Sequence, residues 1–333
     1  MQKILVVRFS SIGDIVLTTP VVRCLKRQLG DVEVHYLTKK QFLPVLQHNP
    51  YISKIITISK NVSEVADVLK KEDYSFIVDL HSNLRTMQVK NRLRKPSASF
   101  KKLNFKKWLL VNTKINRMPD VHIVDRYFEA VKSLGVVNDG EGLDYFIDKK
   151  DEAVINELPE KVKNNYVAIV IGGQHKTKLY PSDKIVALCD KLQMPVIILG
   201  GPEDESEGDW IVENSIKKDI YNACGKFSLN KSAALISFAD VVVSNDTGLM
   251  HIAAAFKKKI VSIWGNTVPE FGMYPYLPKK RKNYSVIIEE KGLSCRPCSK
   301  IGYKKCPKGH FNCMNNISED RIIDAIKSVK TDY

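Results

Sequence analysis

The sequence predicts an α/β protein of two doubly wound, Rossmann-like halves, and three observations predict it. Strand and helix patterns alternate from the first residue onward. The alternation loosens over Gly135–Lys150 and restarts at Tyr166. Polar, Gly-containing turns follow a buried-type strand in each half, at Phe9–Asp14 and at Ser244–Gly248. With 333 residues and a 44% hydrophobic fraction, the chain has material for two buried cores.

The elements follow in order. Lys3–Val7 is a short β-branched run, and apolar residues recur at helical spacing over Ile15–Leu29. Strands are expected at Glu33–Leu37, Lys54–Ile58 and Ser75–Leu80, with helices near Phe42–His48, Val62–Lys70 and His122–Leu134. Domain one is expected to span 1–150. Domain two, 151–333, repeats the rhythm with strands at Tyr166–Ile171, Pro195–Leu199, Val241–Ser244 and Ile260–Trp264. Its helices are expected over Ser182–Leu192, Glu205–Asn214, Lys231–Phe238, Gly248–Phe256 and Glu319–Val329. Two such halves in tandem predict a ligand cleft at the carboxyl ends of the strands.

Charge narrows the partners. The chain carries 52 Lys+Arg against 37 Asp+Glu, a formal charge of +15, and most of the excess lies in the first half. Between Asp79 and Asp120 no acidic residue occurs, while Arg85, Lys90, Arg92, Arg94, Lys95, Lys101, Lys102, Lys106, Lys107, Lys114 and Arg117 do. Phe100, Phe105 and Trp108 are interleaved with them, a composition suited to a phosphate-rich or anionic membrane partner. Pro96–Pro119 has the weakest regular pattern in the first half and is expected to be a mobile loop. A solvated basic face is the plain alternative. Nucleic acid is not expected, because no helix-turn-helix, RNP or zinc-finger signature accompanies the block. No apolar run approaches 18 residues, and no signal-peptide core opens the chain, so the expected compartment is the cytoplasm.

Two turns are candidates for chemistry. The first lacks G-x-G-x-x-G and offers Ser10, Ser11, Gly13 and Asp14 instead. Asp14 near a helix N-terminus is favoured as a carboxylate, and is either a cap or a proton acceptor. The second, Ser244-Asn245-Asp246-Thr247-Gly248-Leu249-Met250-His251, opens a helix whose free N–H groups suit a pyrophosphate. Cys295, Cys298, Cys306, His310 and Cys313 have spacings compatible with a structural zinc, and equally with reduced structural thiols. Cys24, Cys189 and Cys224 sit in apolar patterns and read as core residues.

Four stretches carry a resemblance: K-I-L-V-V-R-F-S-S-I-G-D-I-V-L-T-T-P from Lys3, V-D-L-H-S-N-L-R from Val78, K-L-Y-P from Lys178, and S-N-D-T-G-L-M-H-I-A-A-A from Ser244. Together they resemble glycosyltransferase family 9, the ADP-heptose:lipopolysaccharide heptosyltransferases and their relatives. The resemblance implies a GT-B fold, with acceptor on the first domain and nucleotide-sugar on the second. It also leaves the last helix free to pack back on the first domain. It implies an inverting transfer with Asp14 as base, flanked on the acceptor side by Ser10, Ser11, Gly13, Arg85 and Arg126. Lys178 would contact the donor phosphates. Asp246, Thr247, Gly248 and His251 would hold the diphosphate and sugar, and Glu203 or Glu205 the ribose. Lys101, Lys102, Lys106 and Lys107 are added on charge as acceptor contacts. No D-x-D follows a strand, so metal-independent turnover without a cofactor is expected. The implied partners are an ADP-sugar donor and a phosphorylated glycolipid, met by a monomer at the cytoplasmic face of an inner membrane. A GT-B sugar epimerase is the rival enzyme, and it needs a second acid/base residue that the sequence does not offer.

Overall fold

The computed structural model describes residues 2–330. The chain divides into two compact units, one formed by Met1–Lys102 with Val121–Phe146, the other by Leu103–Asp120 with the chain from Ile147 on. The second therefore begins close to the expected boundary, but the segment Leu103–Asp120 groups with it.

In the first unit β1 (Gln2–Val7), β2 (Val32–Lys39), β3 (Lys54–Ile58), β4 (Phe76–Asp79) and β5 (Ser97–Ser99) form a parallel sheet in the order β3-β2-β1-β4-β5. Ile4–Val7 at its centre are fully buried, as an unbroken apolar run in a parallel sheet must be. The helix expected over Ile15–Leu29 is two helices, α1 (Ile12–Val16) and α2 (Thr19–Gln28). They break where the Thr18 hydroxyl bonds Ile15 O and Tyr36 Oη and Pro20 starts the next helix. The Phe42–His48 helix is a 3-10 stretch, Lys40–Val45, around Pro44. A 3-10 turn precedes α3 (Ala66–Lys71), and α4 (Leu84–Leu93) was not anticipated.

The expected loop over Pro96–Pro119 instead holds β5 and α5 (Asn104–Thr113). Leu110 is the buried residue of α5 and packs with Val268 and Phe271, which ties this segment to the second unit. Next, α6 (Ile123–Tyr127) continues in 3-10 turns to Gly135, whose φ of +74° stops them. The buried Arg23 on α2 pairs with Asp139 and Asp144 and so fixes the stretch that closes the first unit.

The second unit opens with α7 (Lys149–Glu152), then β6 (Val167–Val170), α8 (Ser182–Lys191), β7 (Val196–Leu199), α9 (Glu205–Asn214) and β8 (Ile220–Asn222). It continues with α10 (Leu229–Phe238), β9 (Val241–Asn245), α11 (Gly248–Ala255), β10 (Lys259–Trp264), β11 (Ser285–Glu289), α12 (Asn312–Asn315) and α13 (Glu319–Lys330). Its parallel sheet runs β11-β10-β9-β6-β7-β8. The apolar stripe of the last helix, expected to be free for the first domain, packs within the second unit. Ile322, Ala325, Ile326 and Val329 join Ile185 and Leu188 of α8 and Val261 and Ile263 of β10 in one core. Cys24, Cys189 and Cys224 are buried, as their apolar surroundings in sequence require. Among the described residues no helix is long and apolar enough to cross a membrane.

Each sheet reverses its strand order once at the centre, between β1 and β4 in the first unit and between β6 and β9 in the second. Doubly wound sheets bind ligands at such switch points, at the carboxyl ends of the strands. Both candidate turns lie there.

Candidate active site

At the first switch point the chain leaves β1 through Arg8 and enters α1, which carries Asp14. Arg8 Nε donates to Ser10 O at 2.8 Å, Nη1 to Leu80 O at 2.5 Å, and Nη2 meets Asp14 Oδ1 at 2.8 Å. One guanidinium thus binds the loops after β1 and β4 together and presents the carboxylate. Ser11 donates to Asp14 Oδ2 through its N–H at 3.3 Å and its hydroxyl at 3.0 Å. Burial favours the neutral acid, but Arg8 and the Ser11 donors outweigh it and hold Asp14 below the usual carboxylate range. Asp14 is therefore a fixed, ionised and partly exposed carboxylate rather than a bare cap. Ser11, expected to touch the acceptor, is engaged with Asp14, while the Ser10 carbonyl is engaged with Arg8.

The loop after β4 is shaped by Asp79, which is fully buried. Asp79 accepts from the N–H groups of His81 and Ser82 at 3.0 and 2.7 Å, from the Ser99 hydroxyl at 3.2 Å, and pairs with Lys90 at 3.1 Å. His81 is thereby set edge-on to Phe9, ring centroids 5.5 Å apart. Burial first, then Arg8 and Lys102, push the His81 imidazole down to about 4, so it is neutral. Burial and Arg8 likewise lower Lys102, which is half-buried.

The other acceptor candidates scatter. Arg126 on α6 is 3% exposed, next to Tyr127, whose hydroxyl is pushed up to about 12 by burial in the neighbourhood of Arg8 and Asp14. Arg85 stands partly exposed on the first turn of α4, Lys101 is exposed, and Gly13 is buried in α1. Lys106 and Lys107 belong to α5, where Lys107 lies over the Phe271 ring at 5.8 Å.

At the second switch point Lys178, on a 3-10 turn after β6, reaches Asp246 after β9. Its Nζ is 2.6 Å from Asp246 Oδ2 and 3.3 Å from Asp246 O. Thr267 also donates to Asp246 Oδ2, at 2.9 Å. Asn245 clamps the two strand ends, giving Nδ2 to Val170 O and accepting from Tyr180 N. Thr247 is the N-cap of α11, and Gly248 opens it, so the free N–H groups of its first turn point out of the sheet edge beside Lys178. His251 lies one turn further and is buried. The structure thus joins Lys178, Asp246, Thr247 and Gly248, and sets His251 inside the helix.

Glu203 and Glu205 are both exposed in the loop after β7. The buried acid between them, Asp204, is the one the sequence reading passed over. It accepts from Gly201 N–H at 2.9 Å, and a Cβ on Gly172 would come within 2.3 Å of it. Asp204 therefore shapes the loop, and burial raises its pKa. The signal available for it was its place three residues after a strand-ending Gly-Gly.

Cys295, Cys298, Cys306, His310 and Cys313 line one small cavity of about 20 Å³ with Thr177 and Asn266. Cys295 Sγ is 3.9 Å from His310 Nε2. Burial, then the neighbouring thiols, raise Cys298, and burial pushes Cys313 up to about 11. Among the described residues, however, no three His, Cys, Asp or Glu side chains are placed to hold a metal ion. The spacing gathers the five residues around that one cavity.

Two doubly wound units, each built on a parallel sheet with a polar, charged switch point, are the architecture of the GT-B class. Solved structures agree in fold. A glycosyl transferase family 9 protein from Veillonella parvula superposes with a TM-score of 0.77 over 99% of this chain and 97% of that one, at 22% identity. The ADP-heptose LPS heptosyltransferase II of E. coli superposes at 0.75 over 99% and 98%, at 18% identity. The curated lipopolysaccharide heptosyltransferase 1 of Campylobacter coli is 24% identical across 98% of this chain and 99% of its own length. The family model for glycosyltransferase family 9 (heptosyltransferase) matches residues 62–303, and the chain belongs to that family.

Proposed function

We propose that this glycosyltransferase moves a heptose from an ADP-linked donor to a lipopolysaccharide-type glycolipid, with inversion and without a metal. The observation that carries the reading is the Arg8–Asp14 pair, an ionised carboxylate held at the first switch point with an open face. Asp14 takes the proton of the acceptor hydroxyl as its oxygen bonds to the anomeric carbon. The bond to the diphosphate breaks in the same displacement, and the leaving group keeps the electron pair. General-base assistance of this kind is worth roughly 10²–10⁴ in rate. Lys178 and the first-turn N–H groups of α11 receive the departing charge, each well-aimed donor contributing on the order of 10²–10³. Glu203 and Glu205 are both exposed and available to a ribose.

The acceptor in this reading sits in an anionic membrane, and α5 has the surface for it. Phe105 and Trp108 are 74% and 51% exposed and stack on each other at 6.2 Å, inside the acid-free basic block. Such a helix supports a peripheral enzyme at the cytoplasmic face of the inner membrane. The test is a panel of nucleotide-sugars offered to the purified protein with a heptose-deficient glycolipid. Turnover of ADP-heptose, with UDP- and GDP-sugars left intact, supports the reading. Turnover of another nucleotide class in its place overturns it.

A further inference from the structure

One carboxylate oxygen at the second switch point carries two partners at once. Asp246 Oδ2 takes Lys178 Nζ at 2.6 Å and the Thr267 hydroxyl at 2.9 Å. These groups are largely out of water: the Lys178 and Asp246 side chains are 18% and 11% exposed, and Thr267 is buried. A carboxylate in such a place is costly without hydrogen-bond donors. When Lys178 turns to the diphosphate of a nucleotide-sugar, the oxygen it leaves keeps Thr267.

The turn that carries Thr267 is firmly held. It leaves β10 as Gly265-Asn266-Thr267, and the Arg296 guanidinium grips it from one side. Arg296 donates to Gly265 O at 2.5 Å, to Thr267 O at 2.9 Å and to Trp264 O at 3.3 Å. Glu289 pairs with that guanidinium at 2.8 Å, and Glu290 O accepts from it at 3.2 Å. On the other side Asn266 Oδ1 accepts from the Thr177 hydroxyl at 3.2 Å, and Tyr303 N–H donates to the same hydroxyl at 2.8 Å. A Cβ on Gly265 would lie 2.9 Å from Thr177 O, so glycine allows this close approach. Thr177 is the chain neighbour of Lys178. The two turns that meet on Asp246 are thus bonded to each other, and what is left to move between them is the four-carbon stem of the lysine.

We propose that Thr267 is a positioning residue of the nucleotide site, keeping a hydrogen bond on Asp246 while Lys178 is away on the diphosphate. The proposal rests on the donor-side reading of Lys178 given above. Thr267 acts through Asp246. In the free protein the carboxylate has both partners, and in the complex it has lost its cation. Removing the hydroxyl therefore costs the complex more than the free protein, and it holds Lys178 back on Asp246. With Lys178 itself removed, Asp246 has the same partner in both states, and the hydroxyl no longer bears on affinity.

A double-mutant cycle on the full-length protein tests this, read as ADP affinity by calorimetry. Thr267→Val keeps the shape, removes the hydroxyl and should weaken ADP binding by roughly tenfold. Thr267→Ala, which leaves space where valine fills it, should repeat the loss, and Thr267→Ser should bind as the wild type does. In a Lys178→Ala background, Thr267→Val should change the affinity by less than roughly twofold. In transfer assays Thr267→Val should raise the ADP-sugar KM and leave the acceptor KM where it was. Wild-type ADP affinity in Thr267→Val overturns the proposal. So does an equal loss in the Lys178→Ala background, which marks a merely structural threonine. Unchanged ADP affinity in Lys178→Ala alone overturns the donor-side reading together with the proposal. The full pattern in a protein that transfers no heptose supports Thr267 and sinks the heptosyltransferase reading.

Discussion

The two switch points solve the same problem with different cations. In the first unit an arginine grips two backbone carbonyls and a carboxylate, so its position is fixed by three bonds. In the second unit a lysine rests on one carboxylate and its backbone carbonyl. A planar fork holds geometry, whereas an ammonium on a four-carbon stem can change partners. The comparison teaches a division of roles. Under the proposed function, the first site keeps a charge where it is and the second hands one over.

The largest test of that division is Asp14→Asn. It should lower turnover by at least roughly a hundredfold, as loss of a general base does, while ADP affinity by calorimetry stays normal. Near-wild-type turnover would remove Asp14 from the chemistry. Next comes Lys178→Ala, which should weaken ADP binding by about 1.5–3 kcal/mol, the range for a charge-assisted contact. Unchanged affinity would mean that Lys178 never leaves Asp246. A third test asks whether the second unit serves only the donor. Reversing Lys106 and Lys107 to Glu on α5 should weaken binding to anionic vesicles by roughly tenfold or more, at about 1 kcal/mol per basic residue. Vesicle binding that survives would make this face merely solvated.

Smaller effects sharpen the picture. Because Arg8 and Ser11 depress the Asp14 pKa, the base stays ionised as pH falls past the usual carboxylate range near 4. The acidic limb of kcat/KM in the wild type should lie below that range. Arg8→Lys should move the limb upward by loosening the fork, with modest change at neutral pH. A limb that does not move would show that Arg8 does not govern Asp14. Chelation should have the least effect of all, with full activity expected in EDTA. Loss of activity restored by magnesium would replace the lysine-and-helix account of the leaving group.

The central strands were legible because a parallel strand covered on both faces reads as a plain apolar run, as Ile4–Val7 and Val241–Val243 do. The polar turns were legible because polar residues interrupt those runs abruptly. What escaped were polar groups whose partners are distant in sequence. Asp79 looks like the end of a strand, yet it organises His81, Ser82, Ser99 and Lys90. Asn245 looks like part of a turn, yet it ties β9 to β6. Arg8 ends an apolar run, and only its reach to Leu80, 72 positions away, reveals its function. The edge strands β5 and β8 escaped because three residues give no period to count. Helix α5 escaped because it buries one residue, Leu110, so its apolar side chains trace no stripe.

Under the proposed function, the ion pair between Lys178 and Asp246 has a kinetic consequence. While the diphosphate is bound, the carboxylate waits within reach of the ammonium, and each partial loosening of the product lets it recapture the lysine. It is an internal competitor tethered at high effective concentration. Such a competitor costs some affinity and shortens the residence of the spent nucleotide. Where release of product limits the cycle, the enzyme gains in throughput what it gives up in tightness.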